Sequence, residues 1–326
     1  MDIKISVLLC VFNGHKSISR AIKSILKQDF KEFEFLIIND GSTDNTKDII
    51  YKFLEIDSRI KYFFKEHTGL TNSLQYGLQK ASGEWIARID ADDYSEFNRL
   101  SKQIKFVENN RNVVLLGSNF SLVKGKRIIH KSNLLSNHSF LVNNLKRSRG
   151  FFPHSSAFFS RKKAIQVGGY RKSFYKAQDH DLWLRLSETG EIACCKEDLV
   201  LVYDHQDRIT NRLSGYPQYI YALAAIVSYF ARKEKVYRLE SKINRDEIES
   251  FLEILSKFVK DTKYSEIESF KEDFKYLIAK RKNFYLFFEI TLLFIQYRYL
   301  LILIFKINFL RKNFAYEFFL KYKHIF

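Results

Sequence analysis

Apolar runs and amphipathic segments alternate along the first part of the chain. Ile18, Ala21, Ile22 and Ile25 recur at the spacing of one helical face, whereas other runs are apolar throughout, as in buried strands. The pattern predicts strands over 3–12, 33–39, 60–64 and 85–89, and helices over 17–28, 43–55 and 70–81. Such alternation predicts an α/β fold with right-handed crossovers and a mostly parallel sheet that carries helices on both faces.

Polar segments follow three of the predicted strands. They cover residues 10–14 (Cys-Val-Phe-Asn-Gly), 39–42 (Asn-Asp-Gly-Ser) and 90–93 (Asp-Ala-Asp-Asp). In sheets of this kind, ligands bind outside the carboxyl ends of the strands. We therefore expect the three segments to converge on one site.

The third segment places three carboxylates in four positions, at Asp90, Asp92 and Asp93. If the strand continued through them, Asp90 and Asp92 would point to one face. Carboxylates this close repel each other, and either a raised pKa or a divalent cation relieves the repulsion. Mg²⁺ and Mn²⁺ take oxygen ligands and often complete their shell with substrate phosphates. The alternative is an acidic turn that caps a helix starting near Asn98.

The second segment has chemistry suited to a nucleotide base. Ser42 or Thr43 can cap the helix that follows, which leaves Asp40 as an acceptor for a base edge such as the N3–H of uracil. Phe12 and Asn13 could flank the same base, Phe12 by stacking. Ordinary turn and capping chemistry for 41–44, and a core position for Phe12, are the alternatives.

A further carboxylate lies at the start of a predicted helix beyond residue 177. Residues 151–159 read as a loop followed by a strand, and Gly168 and Gly169 form a turn. Asp179 then lies near a helix N-terminus, where the dipole keeps it ionised unless burial opposes this. It is a candidate general base, with a helix cap as the alternative.

Composition indicates the setting in which the protein works. The chain has 326 residues, a net charge of +17 and three cysteines, which provide no disulfide framework; no secretory signal is visible, so a cytoplasmic location is expected. From 109 to 178 there are fourteen Lys and Arg and no Asp or Glu. Such a segment can hold an anionic lipid surface or a phosphorylated substrate, and the alternative is a generally basic protein from a Lys-rich proteome. No nucleic-acid partner is expected, because no recognition motif occurs.

Taken in order, these motifs resemble those of the family 2 glycosyltransferases of the GT-A fold, of the bacterial surface-polysaccharide type. The resemblance covers residues 3–208 and rests on 6–14, 38–44, 69–70, 81–93, 99–103, 167–170 and 178–185. It implies a Rossmann-like catalytic domain over 1–210 and, beyond the family pattern, a helical C-terminal region over 211–326. Asn39, Phe12 and Gln178 depart from the commonest residues of the family, without removing a group that the chemistry needs.

The resemblance also implies residue roles. Asp40 would contact uracil, Asp90-Ala91-Asp92 would form the DxD site for ribose and metal-bound diphosphate, and Asp179 would be the catalytic base of an inverting transfer. His205 lies where related enzymes often carry a His near the diphosphate, which makes it a candidate metal or phosphate ligand, with a structural role as the alternative. Asp93, His154 and Trp183 are the candidates for contacts with the sugar or acceptor.

The C-terminal region combines helical and aromatic stretches. Residues 220–274 read as charged helix, and 284–310 are aromatic and aliphatic but interrupted by Glu289, Arg298 and Lys306. No uncharged run approaches the ~20 residues of a membrane-spanning helix. Basic flanks favour peripheral attachment to the cytoplasmic face of the inner membrane over a hairpin packed on the catalytic domain.

The sequence therefore predicts a metal-dependent inverting glycosyltransferase. Its expected donor is a nucleotide sugar, with UDP as the expected nucleotide, its acceptor a hydroxyl of a glycan or lipid-linked glycan, and its cofactor Mn²⁺ or Mg²⁺. The alternative is a non-catalytic, membrane-tethered nucleotide- or polyanion-binding protein on the same fold. A nucleotidyl transferase is disfavoured, because no Gly-rich basic loop follows Val11.

Overall fold

The computed structural model describes residues 3–135, 137–148, 151–204, 215–233 and 235, together with 248–249, 252–253 and 255–256. The chain divides into two compact units, 1–226 and 227–326. The sheet and the candidate site belong to the first unit. The domain boundary predicted at 210 and the apolar segment 284–310 lie outside the described residues, so both stay predictions.

Nine strands form one sheet. They are β1 (Ile5–Val11), β2 (Phe33–Asp40), β3 (Ile60–Lys65), β4 (Trp85–Arg88), β5 (Tyr94–Ser95), β6 (Val113–Lys124), β7 (Arg127–Lys131), β8 (Phe158–Ser160) and β9 (Glu191–Tyr203). The described helices are α1 (Ile18–Leu26), α2 (Thr46–Leu54), α3 (Leu70–Lys80), α4 (Arg99–Asn109), α5 (His138–Leu145), α6 (Arg161–Gln166), α7 (Gln178–Leu186) and α8 (Gly215–Lys233), with a 3-10 turn at His154–Ser156.

The sheet has the order β3-β2-β1-β4-β8-β6-β9-β5, and β7 pairs with β6. Strands β1 to β4 are mutually parallel. β8 runs antiparallel to both β4 and β6, so β6 points the same way as β4, and β9 is parallel to β6. Six strands therefore end at one edge of the sheet, which we call the site edge.

Buried faces on strands and helices explain why these segments fold as they do. Every residue of β1 and β2 is buried, as expected for central strands covered on both faces. On α1, Ile18, Ile22 and Ile25 face the sheet at helical spacing. In α3, a Cβ at Gly77 would lie 2.3 Å from Cδ1 of Leu8, so the missing side chain lets this helix approach β1 closely.

The predicted α/β architecture is confirmed, with three local corrections. β4 ends at Arg88, so Asp90 and Asp92 lie in a turn rather than on one face of a continued strand. α2 begins at Thr46 rather than 43. The strand predicted at the end of 151–159 is present as β8, but its antiparallel direction and the β6–β7 hairpin were not predicted, and they make this half of the sheet mixed. Within the described residues, no helix is long and apolar enough to cross a membrane.

Candidate active site

The loops after β1 and β2 are joined by hydrogen bonds through Asn13. The backbone N–H of Asn13 donates to Ser42 Oγ at 2.9 Å, and the N–H of Thr43 donates to Asn13 Oδ1 at 2.9 Å. Asn13 has φ of 53°, a left-handed conformation that Asn tolerates better than most residues. Ser42 thus accepts from Asn13 and does not cap α2, whose first residue Thr46 donates its N–H to Asp44 Oδ1 at 3.0 Å.

Asp40, at the end of β2, is buried and surrounded by donors. Oδ1 accepts from Lys65 Nζ and from the N–H of Thr68 at 3.1 Å, and Oδ2 accepts from the N–H of Gly69 at 2.8 Å. His67 Nδ1 lies 2.9 Å from Oδ2. Burial works to raise the pKa of Asp40, but these hydrogen bonds outweigh it and hold the pKa below its usual range. Asp40 is therefore an ionised acceptor.

Phe12 stands exposed beside Asp40. Its ring is 47% exposed and stacks on His67, with ring centroids 4.0 Å apart and an interplanar angle of 29°. A core position for Phe12 is thereby ruled out. Phe12 and His67 together present a flat aromatic surface at the site edge.

The turn after β4 begins with an ion pair. Arg88 is completely buried, and its Nη2 donates to Asp90 Oδ1 at 2.5 Å while its Nη1 donates to the carbonyl of Leu8 at 3.1 Å. The N–H of Asp93 returns to the carbonyl of Asp90 at 3.2 Å and closes the turn. A Cβ at Gly14 would lie 3.8 Å from Cβ of Ala91, so the loops after β1 and β4 are adjacent.

Ser155 is the centre of a hydrogen-bond network under this turn. Its Oγ bonds to Asp90 Oδ2 at 2.8 Å and to Asp93 Oδ2, and accepts from the N–H of Asp90 at 3.1 Å. Asp93 is only 4% exposed, and its Oδ1 accepts from the N–H of Tyr203 at 3.1 Å. Burial, with the charges of Asp90 and Asp92, raises the pKa of Asp93 to about 8. Protonated Asp93 can donate to Ser155, which then donates to Asp90, so every member of the network is satisfied.

Arg20 fixes the backbone of the turn from outside the sequence motifs. Its Nη2 donates to the carbonyl oxygen of Asp92, and its guanidinium lies over the ring of Tyr203, 3.5 Å from the centroid. Asp92 itself is half-buried. The main chain at Asp92 is thus anchored from α1 and from the end of β9.

Asp179 lies in the first turn of α7. Ala177, which immediately precedes α7, has φ of 51°, so the chain enters the helix through a residue in the left-handed conformation. The side chain of Asp179 is half-buried and accepts from the N–H of His180 at 2.8 Å. Burial is the main reason that the pKa of Asp179 is raised, and the negative charge of Asp90 adds to it. Burial therefore overcomes the helix dipole here, and Asp179 is a stronger base than an exposed carboxylate.

An ionic cluster holds the loop before α7. Asp181 is buried between two arginines. Arg171 donates to its carboxylate through Nη2 and through Nε, the latter at 3.0 Å, and Arg185 donates to it through Nη2 at 2.6 Å. Arg185 Nη1 also donates to the carbonyl of Val167 at 2.7 Å. Burial opposes ionisation of Asp181, but the two guanidinium groups hold its pKa far below the usual range.

Of two candidates for contacts with the acceptor, Trp183 is buried and His154 is half-buried. Trp183 is 1% exposed and packs edge-on against Phe159, with centroids 5.4 Å apart. His154 Nε2 lies 2.9 Å from the hydroxyl of Tyr170, and burial lowers the pKa of His154 to about 3, so its ring is neutral. Trp183 therefore supports α7 from within, whereas His154 begins the 154–156 turn and its contact with the acceptor stays a prediction. Asp93, whose carboxylate is held by Ser155 and Tyr203, is likewise turned away from the site surface.

The residues present fit a divalent cation of the kind that shares its shell with a substrate. Within the described part of the chain, no group of three or more His, Cys, Asp and Glu could hold a metal ion by itself. Asp90 and Asp92 supply hard carboxylate oxygens, the donor set of a Mg²⁺ or Mn²⁺ site completed by substrate phosphates. His205 lies outside the described residues.

Sequence reasoning missed five residues that organise the site: Arg20, Lys65, His67, Arg88 and Ser155. The rule that located the other segments also applies to the end of β3, where Lys65 and His67 lie. Arg88 reads as an exposed charge in a strand and Ser155 as one of several loop serines. No signal in a single sequence reveals that both lie under the acidic turn.

The sequence matches a known protein family and several relatives. Residues 6–168 match the family model described as Glycosyl transferase family 2. The sequence is 30% identical over 183 residues to the O-antigen biosynthesis glycosyltransferase WbnJ of Escherichia coli, covering 56% of this chain and 71% of WbnJ.

Two solved structures share the fold. One is the crystal structure of S. aureus TarS 1-349 in complex with UDP-GlcNAc, with a TM-score of 0.57 and 19% identity over 70% of this chain and 66% of TarS 1-349. The other is the mannosyltransferase PcManGT from Pyrobaculum calidifontis in complex with GDP-Man and Mn²⁺, with a TM-score of 0.50 and 17% identity over 80% of this chain and 75% of PcManGT.

Proposed function

We propose a donor, a metal site and a catalytic base for this chain, which belongs to glycosyl transferase family 2 and has the GT-A fold. The proposed reaction moves a sugar from a nucleotide sugar to a hydroxyl of a glycan or lipid-linked glycan during surface-polysaccharide biosynthesis. UDP is the expected nucleotide. The configuration of the sugar inverts in a single displacement.

One observation carries the proposal: carboxylates from three separate segments of the chain lie at the site edge. Asp40 is ionised beside an exposed aromatic surface, Asp90 and Asp92 share a tight turn, and Asp179 has a raised pKa that depends in part on Asp90. In this order, the carboxylates suit the nucleotide base of the donor, its diphosphate, and the hydroxyl of the acceptor.

The nucleotide would lie over the loops after β1, β2 and β3. Phe12 offers a stacking face, and Asp40 offers acceptor oxygens for the N3–H of uracil. A carboxylate has about four lone-pair sites, and the carboxylate of Asp40 accepts from Lys65, Thr68 and Gly69, which leaves one site for the base. His67 borders that site, with its Nδ1 at 2.9 Å from Oδ2 and 3.0 Å from the backbone carbonyl oxygen of Asp40. The UDP-GlcNAc bound in TarS and the GDP-Man bound in PcManGT support a nucleotide-sugar donor.

Asp92 and Asp90 would hold Mn²⁺ or Mg²⁺ together with the diphosphate. When bound, the cation would offset the charge that develops on the departing nucleotide diphosphate. Asp92 is the principal candidate ligand, because Arg88 already neutralises Asp90 through their 2.5 Å ion pair. Arg20 and Ser155 would keep the turn in place around the cation.

Asp179 would take the proton from the acceptor hydroxyl. The hydroxyl oxygen forms a bond to the anomeric carbon as the bond from that carbon to the phosphate oxygen breaks, and the nucleotide diphosphate leaves with the bonding electrons. A positioned base supplies about 10²–10⁴-fold in rate. A raised pKa suits this task, because the carboxylate then binds the incoming proton more strongly.

A panel of nucleotide sugars tests the proposal. We expect one nucleotide class to protect the protein against thermal unfolding, to require Mn²⁺ or Mg²⁺ for full protection, and to be hydrolysed slowly. Asp92→Asn should lose the metal-dependent part of the protection. Asp48→Asn, in the first turn of α2 and exposed, is the matched control and should keep it. Equal protection by every nucleotide regardless of metal would contradict the assignment.

A further inference from the structure

The β6–β7 hairpin places β7 as an exposed strand beside the carboxyl-terminal end of β6. β6 and β7 are joined through Gly125, whose φ of 61° allows the tight turn. β7 pairs only with β6 among the described strands, and all five of its residues are exposed. The tip of the hairpin, residues 124–131, therefore contributes little to the core.

A bulge turns two isoleucines outward at this tip. The register shifts between Leu122 and Val123, so that Ile129 is the extra residue on β7 beside Ile128. Bulges re-aim side chains in this way. Ile128 is 53% exposed and Ile129 is 51% exposed. An edge strand protected only against aggregation would carry charges without this apolar pair.

Basic side chains surround the two isoleucines. Lys124, Lys126, Arg127 and Lys131 are exposed in the same eight residues, and they outnumber Asp204, whose N–H donates to the carbonyl of Val123 at 2.8 Å. Two apolar side chains ringed by cations suit an anionic lipid surface, where the apolar groups enter the headgroup region and the cations meet lipid phosphates. A second copy of this hairpin would instead bring like charges together.

The tip lies on the same edge of the sheet as the candidate active site. β6 runs parallel to β9, with Val123 opposite Tyr203, and Tyr203 donates its N–H to Asp93 in the acidic turn. Arg20 stacks on Tyr203 and binds the carbonyl of Asp92. A surface that meets the hairpin therefore faces the edge at which Asp92 and Asp179 lie.

We propose that the tip of the β6–β7 hairpin docks the catalytic domain on an anionic membrane surface. The proposal extends the proposed function, since a membrane held at the site edge presents lipid-linked acceptors where the donor binds. It concerns the catalytic domain and is separate from the membrane attachment predicted for the C-terminal region.

A tryptophan placed at the tip tests this contact directly. The chain has two tryptophans, Trp85 and Trp183, and both are buried, so Ile128→Trp in the full chain adds an exposed reporter. With phosphatidylglycerol vesicles that contain brominated lipid, we expect the added emission to shift to the blue and to be quenched. Vesicles of phosphatidylcholine alone should have a much smaller effect. Ile129→Trp repeats the test in case the first variant folds poorly.

Two matched controls make the result specific. Ile56→Trp reports from an exposed position just before β3, at the opposite edge of the sheet, and its emission should not change. Lys126→Glu with Arg127→Glu, added to Ile128→Trp, should reduce quenching several-fold, since each basic residue strengthens attraction to anionic lipid. Lys23→Glu with Lys27→Glu, both exposed on or beside α1, makes the same charge change elsewhere and should leave it unaltered.

The outcomes that overturn the proposal are distinct. Sedimentation with vesicles but no quenching at 128 or 129 would mean that another part of the chain makes the contact. An emission shift that depends on protein concentration without vesicles would assign the tip to a second copy. Because the assay uses neither donor nor acceptor, its result stands apart from that of the nucleotide-sugar panel.

Discussion

The carboxylates of the site differ in the donors that the protein directs at them. The carboxylate of Asp40 accepts from Lys65 and two backbone amides, whereas the carboxylate of Asp93 is shared between Ser155 and the N–H of Tyr203. Donors to Asp40 favour its charged form, and burial of Asp93 favours its neutral form. Neighbouring acids thus have opposite charge states at neutral pH.

Replacing Asp93 with Asn tests its neutral state. Folding raises the pKa of Asp93 from 3.8 to about 8, so the parent loses stability as pH rises between these values. The amide reproduces the protonated acid, accepting from Tyr203 and donating to Ser155. Asp93→Asn should therefore gain stability over the parent between pH 5 and pH 9, measured by thermal unfolding without divalent metal. A difference in stability between Asp93→Asn and the parent that does not change with pH would contradict the neutral state of Asp93.

Removing the exposed ring of Phe12 should weaken nucleotide binding. Base stacking on an aromatic side chain is worth about 1–3 kcal/mol, so Phe12→Ala should raise the Kd for the preferred nucleotide roughly 5- to 150-fold. Phe97→Ala, at another exposed ring beyond the acidic turn, is the control. Calorimetric titration checks both, and an unchanged Kd for Phe12→Ala would place the base elsewhere.

At the scale of elements, the position of α7 depends on one buried ion cluster. Removing the charge of Asp181 leaves Arg171 and Arg185 buried without their anion, which costs about 3–5 kcal/mol. Asp181→Asn should therefore lower the free energy of unfolding by that amount in urea denaturation. The half-buried pair of Asp57 and Arg59, at 2.7 Å, offers a control in Asp57→Asn, with a loss within ~1 kcal/mol. Equal losses would mean that the cluster does not hold the loop.

Some strands and helices could be predicted from the sequence and others could not. β1, β2 and α1 carry long apolar or amphipathic patterns that few other structures satisfy. The start of α2 was ambiguous because Ser42, Thr43, Asp44 and Asn45 can all act as caps, and tertiary bonds from Asn13 and His15 decide among them. β8 was predicted as a strand, but its antiparallel pairing with β4 and β6 was not, because these partners are distant in sequence.

For the whole molecule, parallel strands explain how distant segments could be assigned to one site. The rule that such strands end together predicted the meeting of Asp40 and Asp90 without any contact information. It could not predict which side chains stay at the surface. Burial of Trp183 and Asp93 follows from packing of α7 and of the 154–156 turn, which depends on contacts far apart in sequence.

The most direct test separates binding from turnover in Asp179→Asn. The account predicts that this variant, saturated with Mn²⁺, binds the donor within about twofold of the parent and loses about 10²–10⁴-fold in transfer rate. In the parent, the rate should fall as pH falls through the raised pKa of Asp179, because protonation removes the base. A variant that transfers sugar at the parental rate, or one that no longer binds donor, would contradict the assignment of Asp179 as the base.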